Sequence, residues 1–260
     1  MYNRFFAFGC SFTLYKWPTW ADYLYAGGIA EAYENWALPG GSNDFVFHSL
    51  IECSSLRGIT AEDYVAIMWS QPWRIADYTN EQGWDMPGNA YLYQPKERVK
   101  YLHEDQIALE NQTYFRASIN MLQAIGCDFT FTSMERIDLQ FEDVYATQDY
   151  FKPSMAEFLG YTGPNETDWR ETLPGDRHPS TREHASFAKT LDTSLNHSLI
   201  DKLCDASESY IFESDRPHRQ EITVFPEKIP QDRLPNVESK VNSGSGSLID
   251  VNRIQPFDWE

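Results

Sequence analysis

The sequence predicts an α/β protein built on a parallel central sheet, and three observations carry that prediction. Short apolar runs end at Gly or small polar residues, as buried strands do. Helix-length segments separate those runs, the alternation expected of βαβ units. With 260 residues and a hydrophobic share of 42%, the chain can bury the core of one such domain and still carry an appendage.

The chain begins with the clearest case. Phe5, Phe6, Ala7 and Phe8 form an apolar run ending at Gly9, and Cys10, Ser11 and Thr13 follow in a turn. A helical pattern starts at Thr19-Trp20-Ala21-Asp22. Ser11 would therefore sit at the carboxyl end of a first strand, the edge where open α/β sheets bind ligands. Read alone, Ser11 is a turn or N-cap serine. Residues further along lift it above that.

A second strand is expected at Tyr33–Leu38, running into the turn Pro39-Gly40-Gly41-Ser42-Asn43-Asp44. Phe45, Phe47, Leu50, Ile51 and Leu56 have a partly helical spacing. The third strand, Tyr64–Trp69, ends at Ser70-Gln71-Pro72. The stretch Trp73–Glu104 is irregular and too long for an ordinary connection, as lids and binding loops are. Its rings (Trp73, Tyr78, Trp84, Tyr91, Tyr93) suit stacking on a sugar or lining an acyl pocket, or else cover the sheet edge as satellite core. Asp105–Ile125 is helical, with Ile107, Leu109, Phe115, Ile119, Leu122 and Ile125 on a buried face and Gly126 as its stop. Asp128–Ser133 makes a fourth strand.

After a weakly periodic stretch, Pro174-Gly175-Asp176-Arg177-His178-Pro179-Ser180 reads as a loop feeding a helix that runs to about Cys204. Past Cys204 the composition changes to Pro-rich, charged and Gly/Ser-rich sequence. The organisation expected is therefore a domain over 1–204 and an extension over 205–260, suited to gripping a protein partner or a second copy.

Composition excludes several classes. The net charge of −18 repels phosphate backbones and anionic lipid heads, so neither nucleic acid nor membrane is an expected partner. Four scattered cysteines, with no C-x-x-C pair, make neither a disulfide framework nor a zinc site. No run is long enough to span a bilayer and no signal pattern opens the chain. A cytoplasmic location is expected, and a phage-encoded chain made in a host cytoplasm would read the same. No metal or cofactor motif is present, since Gly9-Cys10-Ser11 lacks the spacing and Lys of a phosphate loop.

Three strand ends thus bring Ser11, the Gly40-Gly41-Asn43 turn and Ser70-Gln71 to one edge, and the late loop supplies Asp176 and His178. A serine nucleophile needs a base, a group orienting that base, and donors for the oxyanion. Each has a candidate here. The arrangement resembles the SGNH (GDSL-like) hydrolase family. Phe8-Gly9-Cys10-Ser11-Phe12-Thr13 is similar to its first block, with Cys10 where the family has Asp. Asn35-Trp36-Ala37-Leu38-Pro39-Gly40-Gly41 is similar to the second block, and Asp176-Arg177-His178-Pro179 to the last. The likeness spans roughly residues 1–204.

The resemblance implies a flavodoxin-like, three-layer α/β/α fold around a mostly parallel sheet of about five strands. It implies a serine esterase or deacylase that works without a cofactor on a small ester or acylated carbohydrate. Ser11, His178 and Asp176 would be its catalytic residues. The oxyanion donors would be Ser11 and Gly40, with Ser70 or Gln71 in place of the family's third-block Asn. Asn43, Trp69 and Trp73 would contact substrate. Asp176 stands two residues before His178 where the family has three, so a backbone carbonyl orienting His178 in a Ser-His dyad is the alternative. A second function class is a binding or assembly protein that keeps the fold without the chemistry; acyl transfer to a sugar is a third reading. His184 is expected to be structural, Asp22, Asp44 and Asp63 to be surface or capping acids, and Cys10 a buried filler.

Overall fold

Phe5, Phe6, Ala7 and Phe8 are fully buried, and alternate residues of the run face opposite helical layers. This is the architecture of the computed structural model, which describes residues 1–15, 17–79, 83–89, 103–137, 141–161 and 177–213. The first strand, β1 (Tyr2–Phe8), leads through a turn to α1 (Trp20–Ala26). Next come β2 (Ala30–Asn35), α2 (Asn43–Arg57) and β3 (Tyr64–Trp69). A hairpin follows, β4 (Arg74–Thr79) with β5 (Gly83–Asn89), then α3 (Glu104–Ile125) and β6 (Asp128–Ser133). Two short helices, α4 (Glu142–Tyr145) and α5 (Met155–Leu159), precede α6 (Thr181–Leu191) and α7 (His197–Glu213).

The sheet order is β2-β1-β3-β6, and every pairing is parallel. The protein is thus α/β with a four-stranded parallel sheet between helices, consistent with a flavodoxin-like three-layer fold. The family resemblance implies about five strands, one more than the four read from the residues. Among the described residues the fifth place, beside β6, is held by one parallel bridge, Phe131 to Phe151, with Lys152 N–H donating to Phe131 O at 2.8 Å. Pro153 directly after that bridge offers no further N–H for a ladder.

Side-chain parity explains the layers. Phe5, Ala7, Ala66 and Met68 pack with α1, α6 and α7, whereas Phe6, Phe8, Val65 and Ile67 pack with α2 and α3. A strand buried on both faces must be apolar at every position, which is how the runs of β1 and β3 read. Fully burying such a side chain stabilises by about 1.5–3 kcal/mol.

Several expectations shift. β2 starts and ends three residues earlier than expected, since as an edge strand it carries the exposed Glu31 and the half-buried Glu34, which accepts from Trp36 Nε1 and Arg57 Nε. The polypeptide still follows β1 beyond it, with Trp36 N–H on Ala7 O (2.7 Å) and Leu38 N–H on Gly9 O (3.2 Å). In α3, Leu109 is exposed, since two residues from Ile107 is about 200° around a helix. The helix expected to run to Cys204 is broken at 192–196. Its second half, α7, continues through Cys204 to Glu213. Residues 214–260 lie outside the described residues. Part of the long aromatic stretch is the antiparallel hairpin β4–β5, while Tyr91 and Tyr93 lie outside the described residues. No helix among the described residues is long and apolar enough to cross a membrane.

Asp22 and Asp63, expected as surface or capping acids, are both buried, and Asp22 does cap, closing the capping box of α1 with Thr19. Asp63 sits at the amino end of the sheet, where Arg4 grips it with Nε on Oδ1 (2.9 Å) and a second nitrogen on Oδ2 (2.6 Å). Thr60 N–H also donates to it, at 2.8 Å. Burial alone would raise this carboxyl, but the Arg4 and Thr60 hydrogen bonds outweigh it and hold Asp63 below its ordinary range. A depressed folded pKa gives stability that is present above the unfolded value, about 4, and lost as pH falls through the folded one. Urea midpoints measured at descending pH should therefore fall more steeply below about pH 4 for wild type than for Asp63→Asn. Parallel curves would remove Asp63 from the acid response.

Candidate active site

The order of the sheet makes the carboxyl ends of β1 and β3 its switch point: the chain moves to one side of β1 for β2 and to the other for β3. Crevices at such points are where this architecture binds ligands. Both Ser11 and Ser70 lie there, each within three residues of a strand end.

Gly9 ends β1 with φ +156°. A Cβ at this position would stand 2.2 Å from Thr13 Oγ1 and 2.9 Å from Met68 O, so only glycine lets the turn fold back against β3. The turn closes when Thr13 and Leu14 N–H donate to Cys10 O at 2.9 and 3.0 Å. Ser11 rides on it, 5% exposed. Its N–H has no backbone acceptor among the described residues, and its Oγ makes none of the described side-chain hydrogen bonds. Cys10, fully buried, points its Sγ to Met134 Sδ at 3.8 Å, in keeping with a filler role. Burial raises the Cys53 and Cys204 thiols and pushes Cys127 up to about 11, leaving these three as protonated core residues.

A polar network that sequence reasoning missed holds the turn from behind. Thr13 O accepts from Asn35 Nδ2 (2.8 Å) and Thr19 Oγ1 (2.7 Å). Asn35 also donates to Tyr33 OH at 2.9 Å and accepts from Ala37 N–H at 3.1 Å. Tyr33 OH in turn donates to Asp22 at 3.2 Å, and Asp22, third residue of α1, accepts the N–H of the N-cap Thr19 at 2.7 Å in a capping box. Through Asn35 the Ser11 turn and the end of β2 are one hydrogen-bonded unit. The sequence signal was the pair of polar residues, Tyr33 and Asn35, in a half-buried strand, since buried polar groups must find partners.

The Gly40 turn is tied to that unit by the Leu38–Gly9 bond and by Gly41 N–H on Leu38 O at 2.9 Å. Gly40 has φ +82°, the left-handed region that glycine enters without strain. Its N–H, like that of Ser11, has no backbone acceptor among the described residues.

His178 reaches the Ser11 turn from the far end of the chain. Its ring stacks on Tyr15 (centroids 3.8 Å, 17° between planes) and meets the Phe12 ring edge-on at 5.5 Å. The next residue, Pro179, accepts from Trp17 Nε1 at 2.9 Å, and α6 then starts at a capping box of Ser180 and Glu183. His184 is fully buried on α6 and meets the Phe12 ring edge-on at 6.5 Å. Asp176 lies outside the described residues.

The remaining candidates fall differently. Ser70 N–H donates to Asn43 Oδ1 (2.7 Å), and Asn43 Nδ2 donates to Ser70 O (3.1 Å) and to Asn111. Asn43 therefore joins α2, β3 and α3 with an amide whose groups are engaged inside the protein. Gln71 Nε2 donates to Glu135 at 2.6 Å. Of the third-strand donors, the Ser70 hydroxyl is buried with no described partner. Trp69 is a correction: it is fully buried between Phe115 and Phe131, because its parity on β3 points it into the α2–α3 layer. Trp73 is half-buried at the start of the hairpin.

No protein-family model matches this sequence. No curated protein matches it. Among solved structures, the chain is similar to the psychrotrophic esterase EstA from Pseudoalteromonas sp., inhibited by monoethylphosphonate. Identity is 11%, coverage is 82% of this chain and 100% of that chain, and the TM-score is 0.38. A likeness that slight carries no argument about what this chain does.

Proposed function

We propose that the chain is a serine ester hydrolase of the SGNH type, acting on a small ester or an acylated carbohydrate. The observation that carries the reading is the packing of His178 on Tyr15 and Phe12, which delivers an imidazole to the turn bearing Ser11. In this reading Ser11 Oγ attacks the carbonyl carbon while His178 takes its proton. The carbonyl oxygen becomes an oxyanion beside the N–H groups of Ser11 and Gly40. The carbon–alkoxy bond then breaks, and His178 returns the proton to the leaving alcohol. Water repeats the sequence on the acyl-serine and releases the acid; an acceptor alcohol in place of water would make the same machinery an acyltransferase. Asp176, or a backbone carbonyl, would orient His178.

One observation favours a second reading, a binding or assembly protein that partners other chains through residues 205–260. Ser11 Oγ makes none of the described side-chain hydrogen bonds, whereas an activated serine needs its base within reach. A fluorophosphonate probe separates the two. Labelling mapped to Ser11, and lost in both Ser11→Ala and His178→Ala, is the expected result. Absence of labelling in folded wild-type protein would favour the binding reading.

A further inference from the structure

The carboxyl end of β6 opens into a cleft of about 790 Å³, a volume in the range of small-molecule sites. Ile137, Phe151 and Pro153 give it an apolar wall. Two cations, Arg136 and Lys152, line it, and neither has an ion-pair partner among the described residues. In a chain of net charge −18, two cations with no described ion pair share one concavity and can meet an anion there together.

The cleft also contains carboxylates, but these are held by neutral donors. Glu142 accepts from Gln148 N–H (2.7 Å) and Thr147 Oγ1 (2.9 Å). Glu157 accepts from Ser154 N–H (2.9 Å) and Oγ (2.8 Å) as the capping box of α5. Both keep lone pairs free for further donors. The helix bearing Glu142 is bracketed by two non-glycine residues in the left-handed region, Phe141 (φ 60°) and Ala146 (φ 48°). Strain of that kind persists only where the surroundings impose it, and it gathers at ligand sites.

The lining discriminates between ligands. Inorganic phosphate would meet the two cations but also the two carboxylates, with few donors to offer them. A neutral sugar would satisfy the acceptors and leave the cations without an anion. A ligand bearing one carboxylate and several hydroxyls uses both sets. We propose that this cleft binds a small polyhydroxylated carboxylate, such as a hexuronate. Arg136 and Lys152 hold its carboxylate, Arg136 with the planar fork that matches one. Glu142, Gln148 and Glu157 accept from its hydroxyls, and the ring lies along Phe151.

The cleft lies two strands along the carboxyl edge from β1, about 10 Å at ordinary strand spacing. That the hexuronate is part of the ester hydrolysed at Ser11 rests on the hydrolase reading; the binding does not. The test is titration of the full chain with glucuronate, glucose and inorganic phosphate, followed by calorimetry or NMR. Glucuronate should bind about tenfold tighter than either of the others, the scale of one charge-assisted hydrogen-bonded pair. Arg136→Gln/Lys152→Gln should erase that preference with an unchanged circular dichroism spectrum, both side chains being exposed. Should the double variant misfold, Lys152→Gln alone should reduce the preference. Glucuronate binding no tighter than glucose or phosphate in wild type, or a preference that survives in the folded variant, would overturn the proposal. Because the readout is binding, it stands apart from whether Ser11 is labelled.

Discussion

Ser11→Ala should lower ester turnover by about 10⁴-fold or more, the loss seen when a serine nucleophile is removed from a concerted Ser-His unit. Stability should change by less than about 1 kcal/mol, the ordinary range for a substitution that breaks no network. The reason is local: Ser11 Oγ makes none of the described hydrogen bonds, and the turn is closed by Cys10 O and anchored through Thr13 O. His178 needs a different control, because its ring packs on two aromatics. His178→Ala removes base and packing together, and a ring contact of this kind is worth about 0.5–1.5 kcal/mol. His178→Phe keeps a ring in place without a base. Equal loss of turnover in both variants, with stability retained in the Phe variant, is the expected pattern. Turnover surviving in Ser11→Ala or in His178→Phe would end the Ser-His assignment.

Gly9→Ala should destabilise by about 2–4 kcal/mol in urea unfolding. The added carbon meets Thr13 Oγ1 at 2.2 Å and Met68 O at 2.9 Å, at a φ of +156° that alanine avoids. Of these obstacles, Thr13 can be trimmed and Met68 O, being backbone of β3, cannot. Thr13→Ala placed on Gly9→Ala should therefore recover part of the loss and leave the rest. Full recovery would show that the backbone of β3 gives way; no recovery would show that the side-chain contact is relieved by rotation. Turnover should fall along with stability, since the same contact sets the height of the Ser11 turn against β3.

The parts of the fold legible in the sequence are those where burial on both faces leaves little choice of residue. Tyr64–Trp69 and Asp128–Ser133 were bounded to the residue, and α3 to within one, because apolar runs and the Gly126 stop announce them. Edges were harder. β2 carries Glu31 and Glu34, so its apolar signal is halved and its start was placed late. The break before α7 has a local signal in Asp192 and Asn196, both helix-end residue types, and Asn196 Oδ1 accepts from Leu199 N–H at 3.3 Å. In the candidate site, the motifs identified which stretches meet, but not how they are held. Asn35 reaches Thr13 across 22 positions and Asn43 reaches Ser70 across 27. Partnerships of that range are set by topology and have no local pattern to read. The same limit explains Trp69: an aromatic beside a candidate site reads as a substrate contact until strand parity sends it into the core.

Trp17 donates to Pro179 O across 162 positions, and the Tyr15–His178 stack spans nearly the same interval. The four strands of the sheet are all in hand once residue 133 has been made, whereas the strap that seats His178 waits for a stretch made well afterwards. Synthesis thus separates the sheet from the His178–Tyr15 contact in time, and closing so long a loop adds little entropy cost beyond that of a loop half as long. A ribosome-bound or truncated chain that stops short of Pro179 would carry the sheet and the Ser11 turn without the Trp17–Pro179 bond beside them, so that under the proposed Ser-His reading the site would be assembled only with the finished domain.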